Sequence, residues 1–243
     1  MVHVHRQPWI ADYRLRMPRS VHYTLAAGGA AVALGVGSRV GTSANRKITG
    51  SLIGAGSAVL VPTLALVGFV HLLQTARDRL RDTIVEGVSW RGDERVLDVG
   101  TGSGILLFAC AKHLRTGTAT GIDIYDPNAG GGSAEIFWRN ARAEGIADRV
   151  ELLNVDARRM TFTDEMFDVV VSSLAMHHVG AAQDRQRATS EIIRILKPGG
   201  SIAICDLTAV LGESEDVLRK NGMLNIRRRP YMRLFSILTA EKP

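Results

Sequence analysis

Three glycines at every second position follow a short apolar run in the stretch VLDVGTGSG, residues 96–104. Because Gly100, Gly102 and Gly104 carry no side chains, a ligand can lie directly against their backbone. A dinucleotide-binding motif, G-x-G-x-x-G, needs its third glycine where Ile105 stands, and a P-loop needs a lysine that this stretch does not contain. The spacing therefore favours neither a nicotinamide dinucleotide nor ATP as the ligand.

Two carboxylates and two imidazoles lie further along the chain, after other apolar runs. Asp123 lies in GIDI and Asp156 in NVDARRMTF. Carboxylates accept hydrogen bonds from hydroxyl and amino groups, and they repel a phosphate but tolerate a cationic ligand. His177 and His178 follow FDVVVSSLAM and are candidate general bases for an acceptor with a poorly ionised hydroxyl. A structural role for both histidines is the alternative.

Apolar runs alternate with helical stretches in the C-terminal part of the chain. The runs RVLDV, ATGIDI, RVELLNV, FDVVVSSL and SIAICDL predict strands, and GILLFACAKHL, SAEIFWRNARAEG and QRATSEIIRIL predict helices. This alternation is typical of a parallel sheet covered by helices on both faces. Ligands of such sheets bind beyond the carboxyl ends of the strands, where the strand order reverses.

The order of five segments resembles the class I S-adenosylmethionine-dependent methyltransferases: VLDVGTGSG, GIDI, NVDARRMTF, FDVVVSSLAMHHV and ILKPGGSIAI. The resemblance covers about residues 95–243. It implies an α/β, Rossmann-like fold with a seven-stranded, mostly parallel sheet, in which NIRRRPYMRLFSILTAEKP forms a final antiparallel hairpin. It also implies methyl transfer from S-adenosylmethionine. A protein that binds this cofactor without turnover is the alternative, because fold alone does not fix activity.

The resemblance also assigns roles to individual residues. Asp123 takes the position that binds the ribose hydroxyls in this family, and Asp156 the position that reads the adenine edge. Asp98 is either a contact for the ammonium group of the cofactor or a cap for the turn. The complete set expected to line the cofactor is Asp98, Gly100, Thr101, Gly102, Gly104, Asp123, Ile124, Asp156, Ala157 and Ser173.

The formal net charge of +6 is confined to the start of the chain. Residues 1–47 contain seven Lys or Arg and one acid, Asp12, so the remaining residues are neutral as a whole. A nucleic-acid enzyme usually carries its basic patch on the folded domain. Here the basic residues flank apolar segments, which favours a membrane surface and argues against a nucleic-acid partner.

Two uncharged runs in the N-terminal third are long enough to cross a bilayer. One lies between Arg19 and Arg39, and the other lies between Lys47 and Arg77. A basic arm (1–19), a transmembrane hairpin (20–73) and an amphipathic connecting helix (74–94) are therefore expected before the methyltransferase domain (95–243). A buried soluble hairpin is the alternative, because Gly and Ala are only weakly apolar.

The flanking charges also predict an orientation. Seven basic residues flank the outer ends of the two runs, against three in the loop between them. The positive-inside rule then places both ends, and with them the catalytic domain, in the cytoplasm. The protein is thus expected to be an integral membrane protein.

The acceptor has no recognisable motif. A domain joined directly to a membrane span suggests a small lipophilic acceptor, such as a quinone, a prenyl compound or a lipid headgroup. Cys110 and Cys205 are 95 residues apart in apolar surroundings, so they predict two core residues rather than a disulfide framework or a metal site. The oligomeric state is not predicted.

Overall fold

A computed structural model describes residues 43–126 and 132–243. The expected basic arm and the first apolar run lie outside the described residues. The described chain divides into two units, one ending at Arg79 and one formed by Leu80–Pro243.

Helix α1, Ser43–Glu86, contains the second apolar run and continues through Pro62. Its stretch Ser57–Glu86 is the one described helical segment whose length and composition would allow it to cross a membrane. Large apolar side chains of this stretch are exposed, for example Val61 (63%), Leu64 (53%) and Leu72 (64%). The helix runs into the expected connecting segment and ends at Glu86, just before Gly87.

The C-terminal unit contains seven strands in one sheet: β1 Arg95–Val99, β2 Thr118–Ile122, β3 Val150–Leu153, β4 Phe167–Ser173, β5 Leu196–Leu207, β6 Leu224–Tyr231 and β7 Phe235–Glu241. The strand order is β3-β2-β1-β4-β5-β7-β6. The first five strands are parallel to one another, and β7 is antiparallel to both β5 and β6. The predicted seven-stranded, mostly parallel sheet and its final hairpin are confirmed.

Helices cover both faces of this sheet: α2 Ile105–His113, α3 Ala134–Ala143, α4 Ala182–Ile195 and α5 Thr208–Lys220. Alternation along the strands separates two apolar cores, since Val96 lies in one and Leu97 in the other. The first core includes α2, α3 and the last turns of α1, and the second includes α4 and α5. Both cysteines are buried, as predicted.

Helix α5 was not predicted from the sequence. Its segment TAVLGESEDVLRK contains Gly212 and several charged residues, which weaken its apolar pattern. Nevertheless Leu211, Ser214 and Leu218 recur at helical spacing and are fully buried. Packing against the sheet therefore stabilises a helix that local propensity alone leaves ambiguous.

Candidate active site

The expected site residues lie at the carboxyl ends of the parallel strands. Asp156 follows β3, Asp123 follows β2, the glycine loop (residues 100–104) follows β1, and Ser173 ends β4. Since β1 pairs with β4 while β2 and β5 lie to either side, the strand order reverses between β1 and β4. The glycine loop is therefore at the switch point, where α/β sheets bind their ligands.

The glycine loop turns sharply beside the segment that follows β4. The amides of Gly100 and Thr101 donate to the carbonyl of Ile122, at 2.9 and 3.0 Å. Gly100 has φ of +73°, and a Cβ at this position would lie 2.2 Å from the Cβ of Ala175. Only glycine satisfies both conditions, so the close approach requires the residue seen in the sequence.

Asp123 ties the glycine loop to the end of β2. Its Oδ2 accepts the amide of Gly102 at 2.9 Å, and its Oδ1 accepts the amide of Tyr125 at 2.7 Å. A carboxylate offers about four acceptor positions, so the two oxygens keep capacity for two further donors. A ribose diol is such a pair of donors.

Tyr125 is a residue of this edge that the sequence prediction missed. Its hydroxyl donates to the carbonyl of Gly102 at 3.1 Å, so the side chain is hydrogen-bonded to the glycine loop. Its φ of +49° is uncommon for a residue with a side chain. Ile124, between Asp123 and Tyr125, is 51% exposed.

Asp98 lies beneath the glycine loop and is 2% exposed. Its carboxylate accepts a hydrogen bond from the Thr101 hydroxyl at 2.8 Å. Of the two roles considered for Asp98, the structure therefore contains the contact that caps the turn. Burial raises the pKa of Asp98 to about 7, and the nearby Asp123 charge adds to this effect.

The raised pKa of Asp98 predicts a pH-dependent stability. In the folded state the Asp98 carboxyl keeps its proton up to about pH 7, whereas in the unfolded state it loses the proton near pH 3.8. Between these values the folded state binds more protons, so stability falls as pH rises. From about pH 5.5 to about pH 8 the wild type should lose on the order of 2 kcal/mol that Asp98→Asn does not lose.

Thermal melting in detergent at the two pH values measures this difference. Asparagine keeps an acceptor for the Thr101 hydroxyl, so the comparison isolates the proton. Parallel pH dependence in both proteins would contradict the assignment.

Asp156 is engaged by a neighbour rather than left free. Arg158 donates to both of its oxygens, from Nε to Oδ1 at 3.0 Å and from a terminal nitrogen to Oδ2 at 2.6 Å. These bonds lower the pKa of Asp156. The carboxylate is 37% exposed, so an adenine amino group would share it with Arg158. Ala157 packs against the second core, and Ser173 pairs with Cys205 of β5.

His177 pairs with a carboxylate that the sequence prediction missed. The helical turn Met176–His178 follows β4, and Nδ1 of His177 lies 2.7 Å from Oδ1 of Asp206. Asp206 lies in β5, is fully buried, and also accepts the amides of His177 (3.3 Å) and Leu207 (2.7 Å). The ring of His178 lies beside that of His177, with centroids 4.0 Å apart and the two ring planes inclined by 41°.

The polar groups at this end of the sheet fit S-adenosylmethionine. Asp123 keeps acceptor capacity for a ribose, and Gly102 presents bare backbone beside it. The half-buried carboxylates of Asp123 and Asp156 suit a phosphate-free sulfonium cation. At Asp156 the expected contact must be shared with the guanidinium of Arg158.

Comparison with known proteins relates part of the chain to methyltransferases. Residues 97–204 match the family model described as a methyltransferase domain. Demethylmenaquinone methyltransferase of Clavibacter sepedonicus is 30% identical over 138 residues, which cover 56% of this chain and 51% of that protein. The chain thus spans about half the length of the curated relatives it matches.

Two solved structures share the fold. A SAM-dependent methyltransferase from Aquifex aeolicus superposes with a TM-score of 0.55 at 18% identity, over 67% of this chain and 89% of that one. The [4+2]-cyclase SpnF gives a TM-score of 0.56 at 22% identity, over 68% and 81%. The match of residues 97–204 to a methyltransferase domain, together with this fold, implies S-adenosylmethionine as the cofactor.

Proposed function

We propose that this chain transfers the methyl group of S-adenosylmethionine to a small lipophilic acceptor that carries a hydroxyl group. The observation that carries the proposal is the His177–Asp206 pair beside the glycine loop. The cofactor supplies a methyl group activated on a sulfonium. Positioning the acceptor in line with that methyl group supplies much of the rate, and a base is needed where the hydroxyl is not ionised.

Asp206 determines which nitrogen of His177 is available as a base. An ionised carboxylate only accepts hydrogen bonds, and Asp206 already accepts two backbone amides. We therefore assign the proton of the neutral imidazole to Nδ1, which donates to Asp206. Nε2 then has a free lone pair. As the acceptor oxygen loses its proton to Nε2, the hydroxyl becomes a stronger nucleophile for the methyl group.

A lipophilic acceptor is supported by two independent observations. The relative from Clavibacter sepedonicus is named for demethylmenaquinone, a quinone. In addition, α1 presents exposed apolar side chains, among them Val61, Leu64 and Leu72, in a stretch long and apolar enough to cross a membrane. We propose that residues 20–73 anchor the chain in a membrane and that the catalytic domain faces the cytoplasm, where the cofactor is made.

One experiment tests the reaction and the anchor together. Membranes containing the full-length protein are washed with alkaline carbonate and then incubated with S-adenosylmethionine labelled in its methyl group. We expect the washed membranes to retain the protein and to transfer label to a product that extracts into organic solvent. Membranes carrying His177→Gln at the same protein level are the control.

Each departure from this result has a distinct meaning. Protein released by the wash would contradict the anchor, and label in protein or in water-soluble products would contradict the lipophilic acceptor. Cofactor binding without any labelled product would favour the binding protein without turnover. The cyclase SpnF has this fold and is named for a reaction other than methyl transfer, so the fold alone does not decide between these outcomes.

A further inference from the structure

The turn between β6 and β7 combines exposed apolar and basic side chains. We call residues 231–234 the hairpin tip. Within it Met232 is 62% exposed and Leu234 is 66% exposed, the two largest exposures of bulky apolar side chains described in the C-terminal unit. Two such side chains at an exposed turn have no role in the core of the domain.

Basic residues surround these apolar side chains. Arg233 lies in the hairpin tip, and Arg227 and Arg229 alternate along β6, which is the edge strand of the sheet. All three are exposed, and none forms an ion pair with the residues that the structure describes. In contrast, Arg228 pairs with Glu215 at 3.1 Å.

The hairpin tip lies at the same end of the sheet as the candidate active site, where the parallel strands have their carboxyl ends. Asp206 pairs in register with Ser236, and Leu207 pairs with Phe235. The Thr208 amide donates to the carbonyl of Leu234 at 2.9 Å. The tip is therefore joined by backbone hydrogen bonds to the strand end that carries Asp206.

We infer that the hairpin tip docks on an anionic lipid surface, with Met232 and Leu234 among the headgroups and Arg229 and Arg233 against lipid phosphates. Apolar side chains beside arginines suit the boundary between headgroups and acyl chains. Each arginine near an anionic surface adds electrostatic attraction. A nucleic acid would match the arginines but leave Met232 and Leu234 in water, so the lipid surface is the occupant that uses both.

This docking would give the proposed function a route for its acceptor. The acceptor route rests on the proposed function. The lipid contact itself does not, because it requires no turnover. A lipid surface at the tip would lie beside the strand end that carries Asp206, so a membrane-soluble hydroxyl compound could reach His177 with little passage through water. The inferred lipid contact thus deepens the proposed acceptor class.

A polarity-sensitive fluorophore on Leu234→Cys in the full chain tests the docking. The two native cysteines are buried, so the unsubstituted chain serves as the labelling blank. In vesicles containing phosphatidylglycerol we expect blue-shifted emission that spin-labelled headgroups quench, whereas vesicles of phosphatidylcholine alone leave the emission as in water. High salt should reverse the shift, because it screens the arginines.

Leu224→Cys is the matched control. Leu224 is also an exposed apolar residue (51%), but it starts β6 and lies at the end of that strand away from the hairpin tip. Its label should report water in both vesicle types. Replacing Arg229 and Arg233 together by Glu should abolish the shift at position 234. Flotation with phosphatidylcholine vesicles reports the proposed anchor separately, so the two proposals can fail independently.

An unshifted label at position 234 in phosphatidylglycerol vesicles would overturn the docking, whether or not the protein floats. A shift that depends on protein concentration and not on lipid charge would overturn it as well, because it would indicate contact with a second copy.

Discussion

Asp206→Asn is expected to lower kcat for an acceptor with a poorly ionised hydroxyl by about a hundredfold, the lower end of what a general base contributes. Asparagine has nearly the same shape and can still accept from Leu207 and from Nδ1 of His177. It lacks the negative charge that stabilises the imidazolium formed during proton transfer. The loss should therefore fall on kcat, and cofactor affinity should stay unchanged.

Three comparisons distinguish this positioning role from a structural one. The acidic limb of the pH–rate profile should move to lower pH in Asp206→Asn, because the protonated base is less stabilised. His177→Gln should cause a similar loss, and the double variant should lose little more, because the two residues act as one unit. His178→Gln should retain most of the activity.

The acceptor itself provides the decisive control. An analogue whose hydroxyl is already ionised at the assay pH needs no base, so the wild type and Asp206→Asn should methylate it at similar rates. An equal loss with ionised and un-ionised acceptors would show that Asp206 only maintains the fold around His177.

The position of the residues expected to bind the cofactor was predictable, because these residues follow strand ends. The glycine loop follows β1 and Asp123 follows β2, and both elements are short, apolar and flanked by clear helix or turn signals. Parallel strands place their carboxyl ends at one edge, so the types and spacing of these residues already indicate where the ligand lies.

The proposed acceptor half of the site depends on contacts between elements that are far apart in the chain. His177 and Asp206 are 29 residues apart, and they meet because β4 pairs with β5 in a register that places Ser173 beside Cys205. The sequence shows Asp206 only as an acid at the end of an apolar run. That position resembles the position of Asp123, and the same argument applied to β5 would have identified it.

Side-chain conformation accounts for the remaining differences. The positive φ of Tyr125 places its hydroxyl on the glycine loop, and no sequence pattern indicates this geometry for a tyrosine. Likewise, the sequence DAR does not reveal that Arg158 turns back to bind both oxygens of Asp156.

Asp123→Ala should weaken S-adenosylmethionine binding by more than about tenfold, or about 1.4 kcal/mol. Two losses add in this variant. The ribose loses a charged acceptor, and the amides of Gly102 and Tyr125 lose the carboxylate that fixes the glycine loop. Asp123→Asn keeps one acceptor oxygen but points an amide toward a backbone donor, so its affinity should lie between those of the wild type and the alanine variant.

Calorimetry with the full-length protein in detergent measures these affinities. Asp126→Ala is the matched control, because it removes an equal charge three residues away, from an exposed position. If Asp123 acts through hydrogen bonds, Asp126→Ala should bind nearly as well as the wild type, and a nicotinamide dinucleotide should compete with neither protein. Equal weakening in both variants would mean that the cofactor cation responds only to the negative charge of this segment, and an unchanged affinity in Asp123→Ala would remove the residue from the cofactor site.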